Sequence, residues 1–327
     1  MSGKVALDKK IEALRALRDS PESAEKDLRR ALQDRNAFFV SKAAALVGEL
    51  HLTALVPDLE SAFERFLKDP VKTDPQCWAK IAIAKALHGL EHKDPRVFLL
   101  GLSHVQREPV WGGDADTAGP LRGACAIGLV QCRLTDLEIL GHLTAGLADA
   151  EKIVRLDTAS AIAALGSETG ALLLRLKTLL GDREPDVMGQ CFVALLDLGS
   201  PTDVRFVARF VSPGQDEDIQ SEAIAALAQA KAESALEVLQ TAWRGRLSHI
   251  LRRALILSLA GSPLPASADF LLSVLKEESG ETAEWVIEGL GLSRFRGRVE
   301  AQVRLLVDQQ DEPKLRQAFS RHFPASL

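Results

Sequence analysis

Leu134–Gly166 reads LTDLEILGHLTAGLADAEKIVRLDTASAIAALG, and Ser167–Gly199 reads SETGALLLRLKTLLGDREPDVMGQCFVALLDLG. Both segments are 33 residues long, both close with Leu-Gly, and each holds two apolar-periodic stretches divided by a polar, acidic turn. Apolar residues that recur at three- and four-residue steps mark one face of a helix, so each segment predicts a helix pair. A fixed period of roughly 20 to 50 residues is the signature of stacked repeats.

The second helix of the pair can be followed along the chain. It starts near Leu121, Val154, Val187, Ile219 and Ile250, in steps of 33, 33, 32 and 31 residues. Its fifth place is Cys125, Thr158, Cys191, Ala223 and Ala254, always small, as expected where neighbouring helices approach closely. Leu165, the last apolar residue of its copy, is expected in the core, where an Arg would leave an unpaired buried charge. Earlier copies, Phe39–Gly48 and Trp78–Gly89, are more widely spaced, and the last, around Glu284–Ser293, is blurred. The reading is one all-α domain over residues 1–327: capping helices at 1–33, irregular repeats at 34–118, regular repeats at 119–261, and a last repeat with its cap at 262–327.

Start and stop signals fall on the same period. Thr135-Asp-Leu-Glu138 is a capping box, in which hydroxyl and carboxylate satisfy first-turn amides. Ser200-Pro201, Asp94-Pro95 and Ser20-Pro21 place a capping side chain before Pro at a helix start. Gly166, Gly199 and Gly261 close second helices, where positive φ costs glycine least.

Composition agrees with closely packed helices. The chain is 46% hydrophobic but only 5% aromatic, has no Tyr, and draws its apolar residues mainly from Ala and Leu. Strands would favour β-branched and aromatic side chains. The formal charge is −5 and the pI about 5.9, which speaks against a nucleic-acid partner. Met1–Lys10 has no apolar signal core and no apolar run approaches the roughly 18 residues of a membrane span, so a soluble cytoplasmic protein without membrane contact is expected. Cys77, Cys125, Cys132 and Cys191 show no CxxC spacing, which argues against a disulfide framework or zinc site.

Asp149–Gly166, DAEKIVRLDTASAIAALG, resembles the HEAT repeat, especially the short bacterial form of phycobilisome bilin lyases and related proteins. The resemblance covers most of the chain and is strongest from 119 to 261. It implies an α-α superhelix, a HEAT-type solenoid of about seven or eight helix pairs, whose Val-Arg helix lines the concave side. It also implies a ladder in which an Asp and an Arg six positions apart join successive turns. Asp116 with Arg122 and Asp149 with Arg155 keep that spacing, whereas Asp182 faces Met188 and interrupts it.

The longest break in the array is the loop 103–120, which stretches the step from Trp78 to Leu121 to 43 residues. Trp111-Gly-Gly-Asp114 within it is either an anchor folded onto the helices or an exposed contact, and Asp114 and Asp116 alone make a poor cation site. Two Arg-rich turns follow late: Trp243-Arg244-Gly-Arg246 with Arg252 and Arg253, and Arg294-Phe-Arg296. Residues 241–327 carry net +2 and the remainder −7. These arginines either hold a phosphate or acidic peptide beside Trp243 or neutralise helix C-termini. His88 and His92 share a spacing suited to metal, but Gly89 ends the helix between them, and no metal site is expected. No phosphate loop, nucleophile elbow or acid–base pair is found, and no cofactor is expected. The reading is a non-catalytic scaffold or adaptor that holds a protein partner. The family resemblance also admits a bilin-lyase-like chromophore chaperone and a HEAT-like alkylation-repair DNA glycosylase.

Overall fold

The computed structural model describes residues 2–19 and 21–324. Among them it is all-helical apart from one small hairpin. The chain divides into two compact units, Met1–Leu173 and Leu174–Leu327. The first contains α1 (Ser2–Ala16), α2 (Pro21–Leu32), α3 (Ala37–Glu49), α4 (Val56–Phe66), α5 (Pro70–Thr73), α6 (Trp78–Gly89), α7 (Arg96–Leu102), β1 (Arg107–Val110), β2 (Gly113–Asp116), α8 (Gly119–Leu129), α9 (Asp136–Leu143) and α10 (Lys152–Leu165). The division falls inside α11 (Glu168–Leu180). The second contains α12 (Pro185–Asp197), α13 (Pro201–Ala208), α14 (Glu217–Gln229), α15 (Glu233–Arg244), α16 (His249–Ala260), α17 (Pro265–Glu277), α18 (Gly280–Leu292), α19 (Arg296–Gln310) and α20 (Pro313–His322). No helix among the described residues is long and apolar enough to cross a membrane.

The two kinds of helix differ in how much of their surface they bury. α4 buries Leu59, Ala62, Phe63 and Phe66, a single stripe at three- and four-residue steps. α8 buries nine of its 11 residues and α12 seven of 13, on several sides at once. The reason is their position: α3, α6, α8 and α10 pack side by side in the first unit, and α12, α14, α16, α18 and α20 do so in the second. Small side chains permit the approach. A Cβ on Gly101 of α7 would run into the Sγ of Cys125 on α8, so only glycine fits there.

Several expectations change in detail. Cys125, Thr158, Cys191 and Ala223 are fully buried at the fifth place of their helices. Ala254 is not, because the last register is shifted: Ile250 is 63% exposed and Leu251 is 3% exposed. The Ser248 hydroxyl accepts from Leu251 N and sets that start, so the step from Ile219 is 32 residues, not 31. Leu165 is half-buried at the helix end, and Ile162, one turn earlier, is the fully buried position. Thr135 and Glu138 form the capping box. Ser200 occupies a cap position, but its hydroxyl meets the Thr202 hydroxyl in place of a helix amide. Asp94 accepts from Arg96 N, and Ser20 lies outside the described residues. Gly166 and Gly199 have φ of 69° and 77°, whereas Gly261 closes its helix at −80° and uses no left-handed freedom.

Candidate functional site

The stretch 103–120 is an antiparallel hairpin in place of a loop. Arg107 pairs with Asp116, Glu108 with Ala115, Pro109 with Asp114, and Val110 with Gly113. Trp111 and Gly112 make the turn, with φ of 91° at Gly112, a conformation that costs glycine least. Two strands of four residues are too short to persist alone. What holds them is the base.

That base begins with Asp74 and Lys80, both completely buried and joined by a 3.0 Å ion pair. Two charges without water are costly unless their remaining hydrogen-bonding capacity is used. Here Asp74 accepts from Ala79 N at 2.8 Å and Lys80 N at 3.0 Å, and Lys80 Nζ also donates to Phe66 O at 3.3 Å. The six-residue spacing from Asp74 to Lys80 equals that of Asp116 to Arg122 and Asp149 to Arg155. Reading for Arg alone misses this pair; reading for any cation at that spacing finds it.

The hairpin closes over the pair. Gln106, 1% exposed, donates through Nε2 to Asp74 O at 2.9 Å and to Glu108 Oε1 at 2.6 Å. The same carboxylate oxygen accepts from Gln76 N at 2.6 Å and Thr117 Oγ1 at 2.7 Å. To present that amide the backbone bends through positive φ at Gln76 and Cys77, 57° and 56°. Burial pushes the Glu108 pKa up, but bonds from Thr117, Gln106 and Gln76 outweigh it, and the net shift is below the ordinary value. Asp116 follows the same logic: burial opposes the bonds from Gln106 N, Ala118 N and Arg122, and its pKa also ends lowered.

Arg122 ties the hairpin to the turn ahead of α10. It donates at 2.7 Å to Asp116, at 2.8 and 2.9 Å to both oxygens of Asp149, and at 2.9 Å to His104 O. Arg155 caps the backbone carbonyls of Asp149 and Ala150 at 2.8 and 3.0 Å. Asp182 pairs with Lys177 at 2.7 Å.

On this rigid base the tip is bare. Trp111 is 103% exposed and Val110 beside it 47%. Asp114 lies 3.6 Å from Arg107 across the strands, both largely in solvent. The late arginines are distributed differently. Trp243 is 8% exposed and is covered by Arg252 at 4.0 Å, which also pairs with Glu278. Arg253 lies over Trp285, and Arg296 over Phe323 with a bond to Pro324 O. Arg244, Arg246 and Arg294 are exposed. Half of these six arginines, Arg252, Arg253 and Arg296, thus lie over aromatic rings of the helical array.

A second surface, unmarked in the sequence reading, is the groove of about 590 Å³ between α3 and α6. Trp78, 44% exposed, meets Phe38 edge-on at 5.2 Å, with Lys42 and Lys85 along the same groove.

The thiols are buried, and burial pushes Cys77 and Cys191 up to about 12 and Cys132 to about 11, so none is an activated nucleophile. His92 lies 3.2 Å from Glu60, and no group of three His, Cys, Asp or Glu suited to a metal occurs among the described residues. No protein-family model matches the chain, and no curated protein is significantly similar to it.

Proposed function

We propose that this protein is a non-catalytic scaffold built on a HEAT-type array of helix pairs, and that the β1–β2 hairpin is its docking element. The observation that carries the reading is Trp111. A fully exposed indole on a two-glycine turn contributes nothing to folding, yet it is held out by a base of buried, hydrogen-bonded charges. Large aromatic side chains are the commonest energetic anchors of interfaces, and a preorganised one loses little freedom on binding. The helix-pair array is supported by the side-by-side second helices of each unit and by the Asp-to-cation spacing that recurs from Asp74 to Arg155.

Quantitative affinity capture from native lysate with wild-type, Trp111→Ala and Trp111→Phe baits tests the docking role. A partner held by wild type and the Phe variant should fall by about tenfold or more with the Ala variant, as for an interface hot spot. Equal recovery of every partner on the Ala bait overturns it.

A further inference from the structure

In the second unit, α13 is shorter than α15, against which it packs, and than α17. It has 8 residues, against 12 in α15 and 13 in α17. The chain after it does not continue the helix but turns at Pro213-Gly214, where φ of Gly214 is 97°. The connection is pinned from below: Phe210 lies 4.8 Å from the Phe192 ring and 5.7 Å from that of Phe206, and Val211 is 5% exposed. About one helical turn is therefore missing from the layer, and a groove of about 800 Å³ opens between α13, the pinned connection and α15.

Its walls are mainly apolar, with Val204, Ala208, Val211, Val238, Ala242 and Leu247 among them. Three charged side chains line it: Arg205 on α13, Arg246 just beyond α15, and Glu237, so the lining carries one net positive charge. Neither arginine forms an ion pair among the described residues, whereas Arg175, Arg252 and Arg298 of the same unit each hold a carboxylate. Apolar cavities of roughly 300 to 1,000 Å³ with a few polar groups are the usual form of small-molecule sites. A free guanidinium at the edge of such a cavity matches a carboxylate in geometry and charge.

We propose that the α13–α15 groove is a binding site for an amphiphilic monoanion, an alkyl chain ending in one carboxylate. The chain lies along the valines and Leu247, where it leaves water, and the carboxylate meets Arg205 or Arg246. The site lies wholly within the second unit and uses no residue of the hairpin, so it stands or falls independently of the docking role of Trp111.

The test is calorimetric titration of the full chain with dodecanoate below its aggregation concentration. Dodecyltrimethylammonium and dodecanol serve as charge-reversed and neutral probes of the same chain length. Expected are saturable one-to-one binding of dodecanoate, at least about tenfold tighter than either control, and a loss of about tenfold or more in the Arg205→Glu/Arg246→Glu double variant. Ala242→Phe, which fills the groove, should weaken carboxylate and alcohol alike. Both arginines are exposed, so the double variant should melt as wild type; if it does not, Arg205→Gln/Arg246→Gln replaces it in the same comparison. Absence of saturable dodecanoate binding, equal binding of the three probes, or undiminished binding by the charge variants overturns the proposal.

Discussion

Lys80 shows how one side chain can decide a local structure. Its ammonium is completely buried, and removing it leaves the equally buried Asp74 carboxylate without a counter-charge. Lys80→Met is therefore expected to cost about 3 to 5 kcal/mol of unfolding free energy, the usual penalty for breaking a buried pair from one side. Trp111→Ala should change stability by less than about 0.5 kcal/mol, since a fully exposed side chain has no packing to lose. Urea unfolding of both variants checks the contrast; a destabilised Trp111→Ala would mean that the indole packs after all. Acid should act on the same base through Glu108. Its folded pKa is lowered from the ordinary 4.5, so the unfolded chain binds protons first as pH falls. The stabilisation is thus present above 4.5 and is lost as pH drops below that value through the folded pKa. The expected outcome is a urea midpoint that falls with acid in wild type and falls less steeply in Glu108→Gln. Parallel curves would exclude Glu108 from the acid response.

Elements depend on a few terminal residues as much as on their apolar stripes. α9 has only 8 residues and starts on the Thr135–Glu138 capping box, where Thr135 N donates to Glu138 at 2.8 Å. A helix this short has little stability of its own, so Thr135→Ala should cost about 1 kcal/mol. Thermal melts of Thr135→Ala and Ser200→Ala give a direct comparison. The second should be nearly silent, because the Ser200 hydroxyl caps no amide. The hairpin is the opposite case. Its strands gain nothing from length, and its order comes from Gln106 and Glu108 reaching Asp74 and Gln76, 32 residues earlier in the chain, with Thr117 donating to the same Glu108 carboxylate.

At the scale of the molecule, an array of repeats tolerates the loss of one whole period. If each helix pair depends only on its neighbours, deletion of one whole period, Leu134–Gly166, should leave a helical chain with a cooperative melt. Deletion of half a period, residues 134–150, should not, since it joins helices on the wrong faces. Circular dichroism of the two deletions separates a repeat array from a fold in which every helix is unique. The central copies, with Cys125, Thr158, Cys191 and Ala223 all fully buried at the same place, are the region where such a deletion is best matched.

Residue order alone specifies a helical chain, the starts of the central second helices to within two residues, and the small residues Cys125, Thr158, Cys191 and Ala223 that they bury. Those features follow from local rules: a 3.6-residue apolar period, caps and glycine stops act over a single turn. The Asp116–Arg122 pair was also legible, because its six-residue spacing is short and recurs at Asp149 and Arg155; the reach of Arg122 to Asp149, 27 residues on, was implied only by the family resemblance. The three-dimensional packing set what became of 103–120, since the partners that fold it, Asp74 and Gln76, lie outside the stretch and bond partly through backbone atoms that carry no sequence signal. It likewise decided that Trp111 is bare while Trp243 is covered, and that Arg246 borders a groove. Exposure belongs to what packs around a residue, and for these three the decisive neighbours come from other elements: a buried base below the hairpin, Arg252 over Trp243, and a helix that ends one turn early.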